Sequence, residues 1–302
     1  MEFGKLKDIS TVDFKIPTDH YRNREVLSTG RNDGKGEIYF GCPSWTSKDW
    51  LGKLYPSKLK SAEFFENYTK HFSTIEFNSS HYALPSKSQV EKWVNESPTQ
   101  FTFCPKVPQE ISHWKRLDRV GVQLDTFMQT VAGFEKHLGC SFLQLPPDFG
   151  VESLSMLDSF LDRIPDQYPL SIEFRDPSWF EKNEAFEYIT KRMEEKKLPM
   201  CLTDVAGRRD VLHMRLTSPI VAVRFVGNQL HDTDYVRMRA WAQRIAEWRA
   251  QGLEKIFFFL HQPEDRLCPE TAVYFVECIN DTCGVNLPIP KLYQSGIQTS
   301  LF

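Results

Sequence analysis

The sequence predicts an α/β fold: a (β/α)8 TIM-type barrel with a short N-terminal extension and an abbreviated helix between strands 6 and 7. Three observations carry this. Eight short runs rich in β-branched and aromatic residues follow Glu37. Amphipathic stretches separate most of them, an alternation that builds parallel sheets. No G-x-G-x-x-G follows a strand, which counts against an open dinucleotide-binding sheet. The 302 residues are 41% apolar, 25% charged and 13% aromatic. That composition supports a large buried core and excludes disorder, collagen and a small disulfide scaffold.

Residues 1–36 are polar and form the extension, held to the body by Phe14 and Ile16. The barrel spans 37–283, and 284–302 are a C-terminal tail. Strands are predicted at 38–42, 73–77, 101–105, 141–145, 170–174, 199–203, 220–225 and 256–260. Ser86 opens a helix with capping-box spacing to Gln89, and Val90, Trp93 and Val94 share its apolar face. Ser178 with Glu181 repeats that spacing. Asp232 or Thr233 caps a third helix whose Met238, Trp241, Ile245 and Trp248 form a core-facing stripe ending near Gly252. Between Asp204 and Ile220 only 15 residues remain, with Gly207 and Pro219 among them. That length leaves room for a short helix or an irregular loop.

Charge is nearly balanced, with 40 acidic against 37 basic residues and a net of −3. Non-specific coating of nucleic acid is therefore not expected. No signal-peptide core or membrane-spanning run is seen, and the seven cysteines form no C-x-x-C pair. They read as reduced thiols of a cytoplasmic protein without a membrane partner. An iron–sulfur role for Cys42, Cys104 and Cys201 would need a fourth ligand and closer spacing, so they are taken as small buried hydrophobes.

Strand side chains alternate between faces. In 170–175 the apolar Leu170, Ile172 and Phe174 oppose Ser171, Glu173 and Arg175. The second strand sets Glu76 and Asn78 on the inner face. The third adds Lys106, the fourth Gln144, the seventh Arg224; the sixth ends at Asp204 and the eighth at His261. Charges inside a barrel must pair, bind a ligand or meet water. A ring of Glu76, Glu173 and Asp204 with Lys106, Arg175 and Arg224 at the C-terminal mouth is therefore the candidate site. The alternative is a purely structural ion-pair network. His113 is a candidate acid or base. Arg208, after Gly207, could cradle a phosphate. Tyr82 and Trp45 could wall a pocket, or simply pack.

This pattern suits an enzyme acting on a small anionic, phosphorylated substrate. Lys106, Arg175 and Arg224 would neutralise the anion. Glu76 and Glu173 would divide acid and base duties if their pKa values were split, assisted by Asp204 or His113. A metal-assisted phosphodiesterase on nucleic acid and a non-catalytic anion-binding protein are the two alternatives. No cofactor motif and no H-x-x-x-H, H-E-x-x-H or D-x-D is present. A divalent metal would require Glu76, Glu173, Asp204 and His261 to converge.

Several stretches carry a resemblance: Gly41-Cys42-Pro43-Ser44-Trp45, Ile75-Glu76-Phe77-Asn78 with His81-Tyr82, and Phe103-Cys104-Pro105-Lys106. Others are Ile111-Ser112-His113, Leu143-Gln144-Leu145-Pro146-Pro147, Ile172-Glu173-Phe174-Arg175 and Val223-Arg224-Phe225. In this order the chain resembles the YecE-like proteins of domain-of-unknown-function family 72. The resemblance implies a TIM-type barrel and no established reaction. The last strand departs from the family's usual Asn-rich ending, running Phe259-Leu260-His261-Gln262.

Overall fold

A computed structural model describes residues 4–31, 33–181 and 184–293. Its strands are β1 (Glu37–Gly41), β2 (Thr74–Phe77), β3 (Thr102–Pro105), β4 (Ser141–Gln144), β5 (Leu170–Glu173), β6 (Met200–Asp204), β7 (Ile220–Val226) and β8 (Lys255–His261). All eight expected strands form, and every ladder among them is parallel. They divide into a six-stranded sheet, β1-β8-β7-β6-β5-β4, and a two-stranded sheet, β2-β3. Single parallel bridges, Phe103 with Leu138 and Lys106 with Phe142, link β3 to the β4 region. The amides of Ser73 and Glu76 donate to the carbonyls of Phe40 and Cys42 on the other flank. One continuous eight-stranded ladder, as expected, is thus not drawn; the fold is an α/β assembly with a mainly parallel sheet.

Helix α1 (Asn23–Ser28) precedes the strands; α2 (Phe64–Tyr68), α3 (Lys87–Glu96), α4 (Gly121–Ala132), α5 (Leu154–Leu161), α6 (Glu184–Glu195) and α7 (Asp232–Gln251) join them, and α8 (Cys268–Cys283) follows β8. The capping box of α3 forms, with Gln89 N–H donating to Ser86 Oγ and Ser86 N–H to Gln89 Oε1. At Ser178 the expected helix does not start. Asp176 caps a short 3-10 turn there by accepting from Ser178 N–H, and α6 begins later. The cap of α7 is His231, whose Nδ1 accepts from Thr233 N–H, rather than Asp232 or Thr233. Gly252, at φ 117°, ends that helix. Its Met238, Trp241, Ile245 and Trp248 are fully buried. The β6–β7 connection holds one 3-10 turn, Arg209–Val211. Of the expected tail, residues 294–302 lie outside the described residues.

The N-terminal segment packs on β6–β7 and α7. Ile16 is buried, and Phe14 lies under the guanidinium of Arg237 at 4.9 Å. Asp19 accepts from Trp248 Nε1 at 2.8 Å, and Asn23 bonds the backbone of Met214 and Leu216.

Close approach of β2 to β1 requires Gly41. A Cβ there would meet Thr74 O at 1.9 Å and Tyr68 Oη at 2.9 Å. Neither the strand backbone nor buried Tyr68 can give way. Gly41→Ala is therefore expected to destabilise the protein by about 2–3 kcal/mol, read as a lower urea midpoint at unchanged slope.

Candidate functional site

Strands β2 to β8 and the residues just past their ends deliver one connected cluster. Arg224 grips Glu76 in bidentate fashion, Nη2 to Oε1 at 2.8 Å and Nε to Oε2 at 3.1 Å. Its Nη1 donates to Glu173 Oε2 at 2.9 Å. Glu173 Oε1 also accepts from Arg175 Nε and from Thr203 Oγ1, both at 2.8 Å. Glu76 accepts further from Asn78 Nδ2 at 2.8 Å, and His261 Nε2 lies 2.6 Å from its Oε2. Lys106 Nζ donates to Gln144 Oε1 at 3.0 Å. Both Glu76 and Glu173 are fully buried. The ring of Phe142 underlies Lys106 and Arg224 at 5.9 and 5.5 Å.

These contacts set the protonation states. Burial alone would raise the Glu173 carboxyl, but Arg175 and Arg224 outweigh it and bring it down to about 2. For Glu76 burial is likewise outweighed, by Arg224 and then His261, and the carboxyl sits well below its usual range. Both are therefore carboxylates at neutral pH. The expected split between an acid and a base within this pair does not occur, because Arg224 bridges the two and Arg175 adds to its hold on Glu173. Lys106 is pulled down to about 8, first by burial and then by Arg224. It keeps its proton at pH 7, so three cations face two carboxylates.

Asp204 does not join the cluster. Thr203 takes the inward position of β6, so the next side chain points out toward α7. There Arg237 Nη1 at 3.1 Å, Trp241 Nε1 at 2.8 Å and Arg209 bind it. Asp204→Asn is expected to cost about 2–3 kcal/mol of stability, since Arg209 loses its counter-ion and buried Arg237 is left with Asp234. Anion affinity should stay within about twofold, because the site is not touched; denaturation and calorimetric titration together check this.

The other expected residues lie outside this cluster. Trp45 stacks on Phe77 at 5.6 Å and meets Phe65 and Trp93 edge-on, so it packs in the apolar layer outside the site. Arg208 reaches over Arg175, donating to its carbonyl at 2.6 Å, and pairs with Asp210. The neighbouring Gly207 amide donates to Gly4 O at 2.8 Å, so that part of the expected phosphate cradle holds the N-terminal segment instead. Tyr82 is exposed beside the cluster. His113 is half-buried, 5.0 Å from the ring of His81. Cys104 and Cys201 lie in the floor with Cys140, whereas Cys42 packs in the larger core on the opposite face of β1, so these three do not converge. Among the described residues no three His, Cys, Asp or Glu side chains converge as metal ligands. Arg224 lies between Glu76 and Glu173, and Asp204 points away.

Sequence reasoning missed His81 and Thr203 as site residues. His81 follows β2 and places Nδ1 2.8 Å from Val107 O. A carbonyl only accepts, so Nδ1 carries the proton and Nε2 keeps a free lone pair. Burial first, then Lys106, lowers the imidazole to about 4. His113 is lowered by burial, then by Lys106 and Arg175.

A family model described as "Protein of unknown function DUF72" matches residues 39–292. The chain is 28% identical over 283 residues to UPF0759 protein YecE of Escherichia coli (strain K12), spanning 88% of this chain and all of that one. It is 30% identical over 151 residues to UPF0759 protein YunF of Bacillus subtilis (strain 168), which is 47% of this chain and 52% of that protein. Among solved structures, a DUF72 family protein of Enterococcus faecalis V583 superposes with a TM-score of 0.64 at 17% identity, over 84% of this chain and 98% of that one. A DUF72 family protein of Thermotoga maritima MSB8 gives 0.57 at 21%, over 74% and 91%. These two likenesses concern the fold.

Proposed function

We propose, for a chain that belongs to the DUF72 family of proteins of unknown function, that the C-terminal ends of its strands bind a small phosphorylated anion against Lys106 and Arg175. His81 and His113 are the proton-transfer groups. The two sheets are read as one closed (β/α)8 barrel, supported by the bridges at Phe103 and Lys106 and the β1–β2 hydrogen bonds. Seven cysteines outside any disulfide fit a cytoplasmic protein, and no helix among the described residues is long and apolar enough to cross a membrane.

One observation carries the reading. Arg224 and Arg175 take up both carboxylates, and among the described residues the hydrogen-bond partner of Lys106 Nζ is a neutral amide. A buried ammonium without a carboxylate of its own is costly unless an anion completes it. An anion beside Lys106 would also offset its field on His81 and His113, raising both imidazoles toward the range useful for proton transfer. The role first assigned to Glu76 and Glu173 thereby passes to the histidines, and the carboxylates hold Arg224 and Arg175 in place.

Screening phosphate monoesters for binding and turnover tests this. Wild type is expected to bind at least one sugar phosphate. His81→Asn should bind it with similar affinity and lose at least about tenfold in turnover. The reading fails if no phosphorylated compound binds, or if His81→Asn turns substrate over at the wild-type rate.

A further inference from the structure

Near the cluster lies a cavity of about 310 Å³, whose walls include His81, Tyr82, Pro108, Gln109, Trp114 and Val122. Its lining adjoins the backbone of Lys106. Ser80, which also lines it, donates its hydroxyl to the Lys106 carbonyl at 2.8 Å, and Pro108 lies two residues beyond Lys106. The His81 ring in its wall lies 5.0 Å from that of His113 and 5.3 Å from that of Tyr82.

Two features of this cavity are not explained by packing. Tyr82 and Trp114 leave 74% and 69% of their surface exposed, with Val122 at 77%, on a chain that buries most of its other large side chains. Clustered exposed apolar surface marks a binding site. Trp114 is also presented by costly backbone. Residues Glu110–Trp114 form a π-type turn, closed by Lys115 N–H on Glu110 O at 2.9 Å. Arg116, Leu117 and Arg119 follow at φ of 47°, 67° and 48°. Such turns and left-handed residues concentrate at functional sites.

We propose that this cavity takes the flat ring of the same phosphorylated ligand, making that ligand a nucleoside monophosphate. The phosphate sits on Lys106 and the base lies against Tyr82 and Trp114, with the Gln109 amide at the base edge. This rests on the anion reading above. Exposed aromatic rings stack on any base, because every base has a π-face. A sugar phosphate alone would leave both rings in water.

Calorimetric titration of adenosine 5′-monophosphate, ribose 5-phosphate and inorganic phosphate tests this, in wild type and in a Tyr82→Ala/Trp114→Ala variant. Both rings are exposed, so the variant should fold normally; its melting curve checks that. Wild type is expected to bind the nucleotide at least about tenfold more tightly than ribose 5-phosphate. The double variant should bind the two equally, with its ribose 5-phosphate affinity unchanged. Equal affinities in wild type, or a preference that survives in the variant, overturn the ring site and leave the anion site standing. Failure of all three compounds to bind removes the anion site and the ring site together.

Discussion

Arg224→Met is expected to destabilise the protein by about 3–5 kcal/mol, the usual consequence of removing one partner from a buried charge cluster. It should also reverse the response to acid. In wild type the Glu173 carboxyl is held at about 2 against an ordinary 4.5. A lowered folded pKa contributes stability that is complete above 4.5 and lost as pH falls toward 2. Between pH 5 and 8 this group therefore leaves wild-type stability unchanged. Without Arg224, the described partners left to Glu76 are Asn78 and His261, and Glu173 retains Arg175 and Thr203. Burial then dominates and the folded pKa of Glu76 rises above 4.5. Stability is now present below that value and is lost as pH rises through the new one. Urea midpoints at pH 5 and pH 8 measure the sign. A variant equally stable at both, and within about 1 kcal/mol of wild type, would mean that Arg224 does not hold the pair.

Lys106→Met is expected to abolish most anion binding while making the protein more stable. The loss should be roughly 30- to 100-fold, or about 2–3 kcal/mol, as for other buried charge-assisted contacts. The gain follows from the direction of the lysine's shift. Its folded value of about 8 lies below the ordinary 10.5. The unfolded chain therefore binds that proton more tightly, and charged Lys106 opposes folding at pH 7. Methionine approximates the length of the stem and removes the ion, for a gain of about 1–3 kcal/mol. Above pH 10.5 the two proteins should be equally stable, since the proton is then absent from both states. Binding sites commonly carry such a cost. A Lys106→Met protein that is less stable at pH 7 and binds sulfate normally would identify Lys106 as a structural ion-pair partner.

Much of the fold was legible because parallel strands and crossover helices leave separate marks in sequence. Strand positions came out within about a residue, since Ile38, Phe40, Ile172 and Val223 alternate with the residues they oppose. Helix starts were harder. Asp176 and His231 both supply caps, and each competes with a nearby residue of good capping chemistry. The close approach of β2 to β1 depends on Gly41, whose importance lies in a backbone contact that no side-chain pattern reveals.

The candidate site was legible wherever alternation was applied strictly. Glu76, Lys106, Gln144, Glu173, Arg175, Arg224 and His261 lie on inward faces and meet. Asp204 was placed by its position at the strand end rather than by parity. Cys201 and Thr203 share the inward face, so parity alone puts Asp204 outside. His81 lies past the end of β2 in a turn, where alternation no longer applies. Its neighbour Val107 comes from another strand's loop, a contact that only tertiary structure brings about. That one guanidinium would bridge both glutamates was likewise invisible, because residue types alone do not say which charges pair.

The most direct test of Lys106 as the anion's cation is sulfate affinity measured from pH 6 to 10, in wild type and in Lys106→Arg. Sulfate keeps its charge across that range, so any change belongs to the protein. In wild type, affinity should hold through neutral pH and fall as pH rises past about 8, where Lys106 loses its proton; in Lys106→Arg that fall should disappear, since a guanidinium stays charged. Wild-type affinity that stays level to pH 10, or the same decline in Lys106→Arg, would contradict it.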